Sequence, residues 1–133
     1  MKKILVAYDG DEPSRLALER GADLAVAFGA QLAVVSVTPW RSDGFPVDLW
    51  DDAGAHARAL KSAADRLRQR GLSAEMLSLA GDPGQTIEAA AEDGNFDTIV
   101  VGSRGLGSVA RFMQGSVSEH VATNAKASVV IAR

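Results

Sequence analysis

Apolar and polar residues alternate along this chain in two rhythms. Ile4 to Tyr8 is a short, continuous apolar run, the mark of a strand covered on both faces. Asp11, Glu12, Pro13 and Ser14 then supply helix-start chemistry. Ala17, Gly21, Leu24 and Phe28 follow at helical spacing, with Arg15, Glu19 and Asp23 on the other side, and Gly29 ends that helix as a C-terminal cap. Leu32–Val37 repeats the strand pattern. Residues 39–52 hold two prolines and a glycine and read as a loop. Ala53, Ala57, Leu60, Ala64 and Leu67 form the next helical stripe, opposite Arg58, Lys61, Asp65 and Arg68, and Gly71 stops it. Leu72–Leu79 alternates as a third strand. Asp82–Pro83 opens a short helix with Ile87, Ala90 and Ala91 on its apolar side, because proline in a first turn lacks only an N–H that no helical bond needs. Thr98–Val101, a helix over 116–124 and the strand Ser128–Ala132 complete the pattern.

Strands that alternate with helices pair in parallel through crossover connections. The order β-α-β-α-β-α-β-α-β therefore predicts one domain: a three-layer α/β/α open sheet of five parallel strands with about four helices. In such sheets ligands bind beyond the carboxyl ends of the strands, where the strand order reverses. The segments to inspect are Asp9–Asp11, Val37–Trp40 and Gly102–Ser118, which follow the first, second and fourth strands.

Composition narrows the possibilities. A length of 133 residues allows a sizeable core. A net charge of −3 offers no basic field for nucleic acid. No cysteine is present, which removes disulfides, thiolate metal sites and cysteine nucleophiles and is compatible with a reducing cytosol. The apolar run behind Lys2 and Lys3 is too short for a signal peptide, and no run approaches the ~20 residues of a membrane span.

The stretch GSRGLGSVARFMQGSVSEH, residues 102–120, carries the chemistry. Gly102, Gly105 and Gly107 fall within six residues, and Gly115 precedes a serine-rich helix start. Gly102 and Gly105 let bare N–H groups approach a ligand. Gly115–Ser116 opens a helix whose first amides and positive dipole end favour a phosphate, with the Ser118 hydroxyl close by. Arg104 and Arg111 are the strong cations of the stretch, as surface charges or phosphate contacts. Ser116-x-x-Glu119 is also a capping box, which needs no ligand.

Taken together, VAYDG at 6–10, SVT at 36–38, FDTIVVGSRG at 96–105 and the whole C-terminal segment from Gly102 resemble the universal stress protein family, in its small, ATP-binding branch. The resemblance implies a Rossmann-like fold of the adenine nucleotide α-hydrolase-like group. It implies that Asp9 meets the adenosine of the nucleotide and that Val37 offers backbone contacts to adenine. Gly102 and Gly105 would pass the ribose and phosphates, and Gly115, Ser116, Val117 and Ser118 would hold the phosphates. The implied ligand is ATP, with Mg²⁺ as a possible companion. The implied partner is a second copy of the chain, paired antiparallel through Ser128–Ala132. One position departs: many members read Asp-Gly-Ser after the first strand, and this chain reads Asp9-Gly10-Asp11. A carboxylate there disfavours a polyphosphate unless Mg²⁺ intervenes or it points away.

Other functions meet obstacles. GDPGQT at 81–86 lacks the Gly-Lys-Ser/Thr ending of a P-loop, and no general base stands out, so efficient hydrolysis is not expected. An adenylyl-transferring ligase of related fold would carry a Ser-Gly-Gly-rich loop where DGDEPS stands. A phospho-receiver needs a lysine after its fifth strand, and Lys126 precedes it. A ligand-free, dimeric interaction module remains a competing reading. His56 and His120 have no ligand-type neighbours at metal spacing and read as surface residues. Trp40, Phe45 and Trp50 cluster in the 39–52 loop, packed on the sheet or serving as a lid or partner surface.

Overall fold

In the computed structural model, residues 1–38, 53–103 and 116–133 are described, without the side chains of 53–56, 116, 118 and 119. The elements are β1 (Lys3–Ala7), α1 (Glu12–Phe28), β2 (Gln31–Thr38), α2 (Ala53–Gln69), β3 (Glu75–Ala80), α3 (Pro83–Asp93), β4 (Thr98–Gly102), α4 (Ser116–Asn124) and β5 (Ser128–Ala132). All strand pairs are parallel, in the order β3-β2-β1-β4-β5. The five-stranded parallel α/β fold is the one that the periodicity predicts.

The sheet buries both faces. Ile4 and Val6 of β1 point into one apolar cluster with Leu18, Ala22 and Ala25 of α1 and Leu60, Ala63 and Leu67 of α2. Leu5, between them, points into the other, with Ile87 and Ala91 of α3 and Val121 of α4. This alternation is the strand period of two, and it puts α1 and α2 on one face and α3 and α4 on the other. Each fully buried Leu, Ile or Val contributes about 1.5–3 kcal/mol.

Helix ends follow local chemistry. Asp11 caps α1 by accepting the Ser14 N–H at 2.9 Å, and Asp82 caps α3 by accepting the Gln85 N–H at 3.0 Å. At the end of α2, Leu72 N–H bonds back to the Leu67 carbonyl at 2.9 Å and the Leu72 side chain packs on the core. That closure belongs to the helix. It explains why β3 starts at Glu75 rather than at Leu72. Two stripes also shift. On α1, Ala17 and Gly21 are buried and Leu24 packs on the core as expected, but the buried face widens through Leu18, Ala22 and Ala25, and Phe28 in the last turn is 56% exposed. On α2, Ala63 is fully buried, Ala64 partly so and Ala57 exposed.

The strand order fixes where a site can open. From β1 the chain winds outward through β2 to β3, and β4 then returns to the other side of β1. The carboxyl ends of β1 and β4 therefore flank the reversal, with the N-terminus of α1 beside them.

Candidate functional site

Three segments meet at this end of the sheet. Asp9 and Gly10 follow β1, Val37 lies near the end of β2, and Gly102 ends β4.

Val37 gains its position from unequal strand lengths. The β1–β2 register ends at Ala7↔Val35, and Tyr8 N–H gives a last bond to the Val35 carbonyl at 2.9 Å. Residues of a parallel strand bond alternately to either side. Val35 bonds toward β1, and the Thr38 carbonyl, which accepts the Gly81 N–H at 3.0 Å, faces the β3 side. The N–H and C=O of Val37 thus face the β1 side, past the end of β1. They make no hydrogen bond to any described residue, so an open donor–acceptor edge faces the crevice.

Asp9 sits in a tight network. Its Oδ1 accepts the Asp11 N–H at 2.9 Å and the Ser14 hydroxyl at 3.0 Å. Ser14 Oγ in turn accepts the N–H groups of Asp9 at 3.2 Å and Gly10 at 3.1 Å. Gly10 has φ +93°, a conformation that side-chain-bearing residues rarely adopt, so the sharp exit from β1 requires glycine. Surrounding protein raises the Asp9 carboxyl pKa above its ordinary value, chiefly by removing water. The Asp11 carboxyl beside it raises it further, while the Asp11 N–H and the Ser14 hydroxyl lower it. Asp9 remains solvent-exposed, which limits the effect.

Asp11 is the α1 cap, and its Oδ1 is turned to the Ser14 N–H. The extra carboxylate of the DGD sequence thus has a helix-capping use. Gly102 has a packing reason as well. A β-carbon there would stand 2.8 Å from the carbonyl carbon, carbonyl oxygen and Cβ of Pro13, so the close approach of α1 to β4 itself requires glycine. That reason was invisible in the sequence, as was the role of Ser14. Its one advance signal was a hydroxyl five residues after Asp9.

Of the phosphate set, Arg104, Gly105 and Gly115 lie outside the described residues, as do Arg111 and the aromatic loop 39–52. Ser116, Val117 and Ser118 form the first turn of α4, the next helix after β4 in the chain, and Val117 is half-buried. His120 is not the surface residue expected. Its Nε2 lies 2.9 Å from Glu88 Oε2 on α3, and its ring packs against Gly84. Among the described residues, no helix is long and apolar enough to cross a membrane.

A five-stranded parallel sheet whose strand order reverses beside β1 defines a doubly wound α/β protein, the class in which small ligands bind at the switch point. The chain belongs to the universal stress protein family, whose family model matches residues 1–133. It is 34% identical over 135 residues to the universal stress protein in the QAH/OAS sulfhydrylase 3′ region of Thermus aquaticus, covering 99% of this chain and 98% of that protein. It is 30% identical to universal stress protein YxiE of Bacillus subtilis, covering 98% of each. Among solved structures it is similar to a universal stress protein in complex with cAMP. The TM-score is 0.79 at 28% identity, covering 99% of this chain and 97% of that one.

Proposed function

We propose that this protein binds an adenine nucleotide, ATP in the first instance, at the carboxyl ends of β1, β2 and β4. It hydrolyses ATP slowly or not at all and acts as a cytoplasmic regulatory protein in a stress response. The observation that carries this reading is that the N–H and C=O of Val37 have no hydrogen-bond partner among the described residues, at the same end of the sheet as the held Asp9 carboxylate. An adenine edge offers a ring-nitrogen acceptor next to an exocyclic amine donor, which is the complement of an open strand edge. The cAMP complex of a relative 28% identical supports an adenine nucleotide as the ligand class. Gly102, Gly105, Gly115, Ser116, Val117, Ser118 and Arg104 would serve the sugar and phosphates, and the first amides of α4 suit an anion. A phosphate-bound Mg²⁺ would offset charge near Asp9 and Asp11.

The protein would act as a homodimer joined through β5. A second reading, a nucleotide-free interaction module, draws on the packing of Gly102 against Pro13, which accounts for that glycine without a ligand.

The test begins with protein purified without added nucleotide, denatured, and its released small molecules identified by mass spectrometry. ATP is then titrated with and without Mg²⁺ into wild type and a folded Gly115→Val variant. Micromolar binding lost in the variant supports the nucleotide reading. No released nucleotide and no heat of binding refutes it and favours the interaction module.

A further inference from the structure

We propose that His120 is a positioning residue for the phosphate end of the site: with Glu88 it clasps α4 to α3 and so fixes where the first turn of α4 stands. This rests on the nucleotide reading above and names the residues that set its selectivity for phosphate.

Helical spacing builds the clasp. Gly84, Glu88 and Glu92 follow at intervals of four on α3 and share one face. Opposite them stand His120 of α4 and Lys126, just past its end. His120 Nε2 lies 2.9 Å from Glu88 Oε2, and Lys126 Nζ lies 3.3 Å from Glu92 Oε1. The second pair is well exposed, and such pairs contribute little. In the first, both side chains are only 31% exposed. A carboxylate oxygen accepts, so Nε2 carries the proton and donates it to Glu88. The imidazole also has a fitted seat. A β-carbon on Gly84 would stand 2.9 Å from its Cγ, so the ring lies directly against the first turn of α3.

The helix carries this grip to its own start. His120 lies three residues after Val117 and four after Ser116, on the same face. Val117 packs against the apolar cluster that contains Ile87 and Ala91 of α3. The first turn of α4 is thus held through Val117 on the core side and through His120 on the more exposed side. A binding group must be held to within about 0.5 Å of its productive place. The amides of that turn can meet a phosphate only while the clasp keeps them there.

Calorimetry with ATP and with adenosine, which lacks the phosphates, tests this. Wild type is expected to prefer ATP. His120→Ala and Glu88→Ala should each weaken ATP about fivefold and leave adenosine unchanged, with no further loss in the double variant. Glu88→Gln keeps an oxygen for Nε2 and should keep the wild-type affinity for ATP. Gly84→Ala puts a β-carbon under the ring and should act like His120→Ala. Equal weakening of both ligands would mean that the clasp only supports the fold and would overturn the proposal. So would unchanged ATP affinity in His120→Ala and Glu88→Ala. A wild type that binds adenosine as tightly as ATP keeps adenine recognition and overturns this proposal alone. A wild type that binds neither removes the nucleotide reading itself, and this proposal with it.

Discussion

Gly102 at the end of β4 touches Pro13 in the first turn of α1, with no room for a β-carbon between them. This contact sets how closely the start of α1 approaches the end of β4. The neighbour is backbone, which cannot swing aside. Gly102→Ala is therefore expected to cost about 1–3 kcal/mol and to weaken ligand binding by displacing the start of α1. Urea denaturation reads the first effect and titration the second.

Asp9 is held in its turn at some expense of stability. Its folded-state pKa is raised, so the folded protein binds the proton more tightly than the unfolded chain. Stability is accordingly lost as pH rises from the ordinary carboxylate value through the raised one. Asp9→Asn removes that loss while leaving an oxygen for the Asp11 and Ser14 donors. The variant should be more stable than wild type at pH 7 by at most about 1 kcal/mol, since Asp9 is exposed and screened. The gain should fade below about pH 4. Thermal melts across pH check the sign, and nucleotide affinity should fall in the same variant.

Asp97 shows the opposite linkage at the other end of the sheet. Its Oδ2 accepts the Lys2 N–H at 2.7 Å and the Lys3 N–H at 3.2 Å, and its Oδ1 accepts the Thr98 hydroxyl at 2.8 Å. These bonds, the Lys2 amide foremost, lower its pKa. The stability that they supply is full above the ordinary carboxylate value and is lost as pH falls through the folded one. Asp97→Ala should cost about 1 kcal/mol at pH 7, a modest figure because the group is exposed, and less below about pH 4. Melts of both proteins across that range decide it.

The dimer reading has a selective test in β5. Ala132 accepts the Ser103 N–H at 2.9 Å and Ser128 N–H donates to Asp97 O at 2.9 Å, so 128, 130 and 132 bond toward β4. The backbone groups of Val129 and Ile131 face outward, and Ile131 is 38% exposed. Ile131→Pro removes an outer N–H and spares the β4 ladder. It should give a folded monomer by sedimentation velocity, whereas Val130→Pro should unfold the sheet edge.

The fold was legible because its signals are local. Continuous runs such as Leu32–Val37, caps such as Asp11 and Asp82, and Pro13 or Pro83 in a first turn each act within a few residues. What escaped was contact across the chain. Pro13 meets Gly102, and His120 meets Glu88 over 32 residues of sequence, with no period to announce either. Asp9 and Val37 were readable as candidates from their places after strands. The network around Ser14 was not, since it depends on the turn geometry that Gly10 creates.

The central claim is that an adenine nucleotide binds at the carboxyl ends of β1, β2 and β4. Its most direct test is titration of ATP into isotopically labelled protein, followed through the backbone amide resonances. The account predicts saturable shifts centred on Gly10, Val37, Gly102 and Val117, with the β3 edge and the Asp97 end of the sheet unmoved. Saturable binding that shifts other amides, or no shift at millimolar ATP, would contradict it.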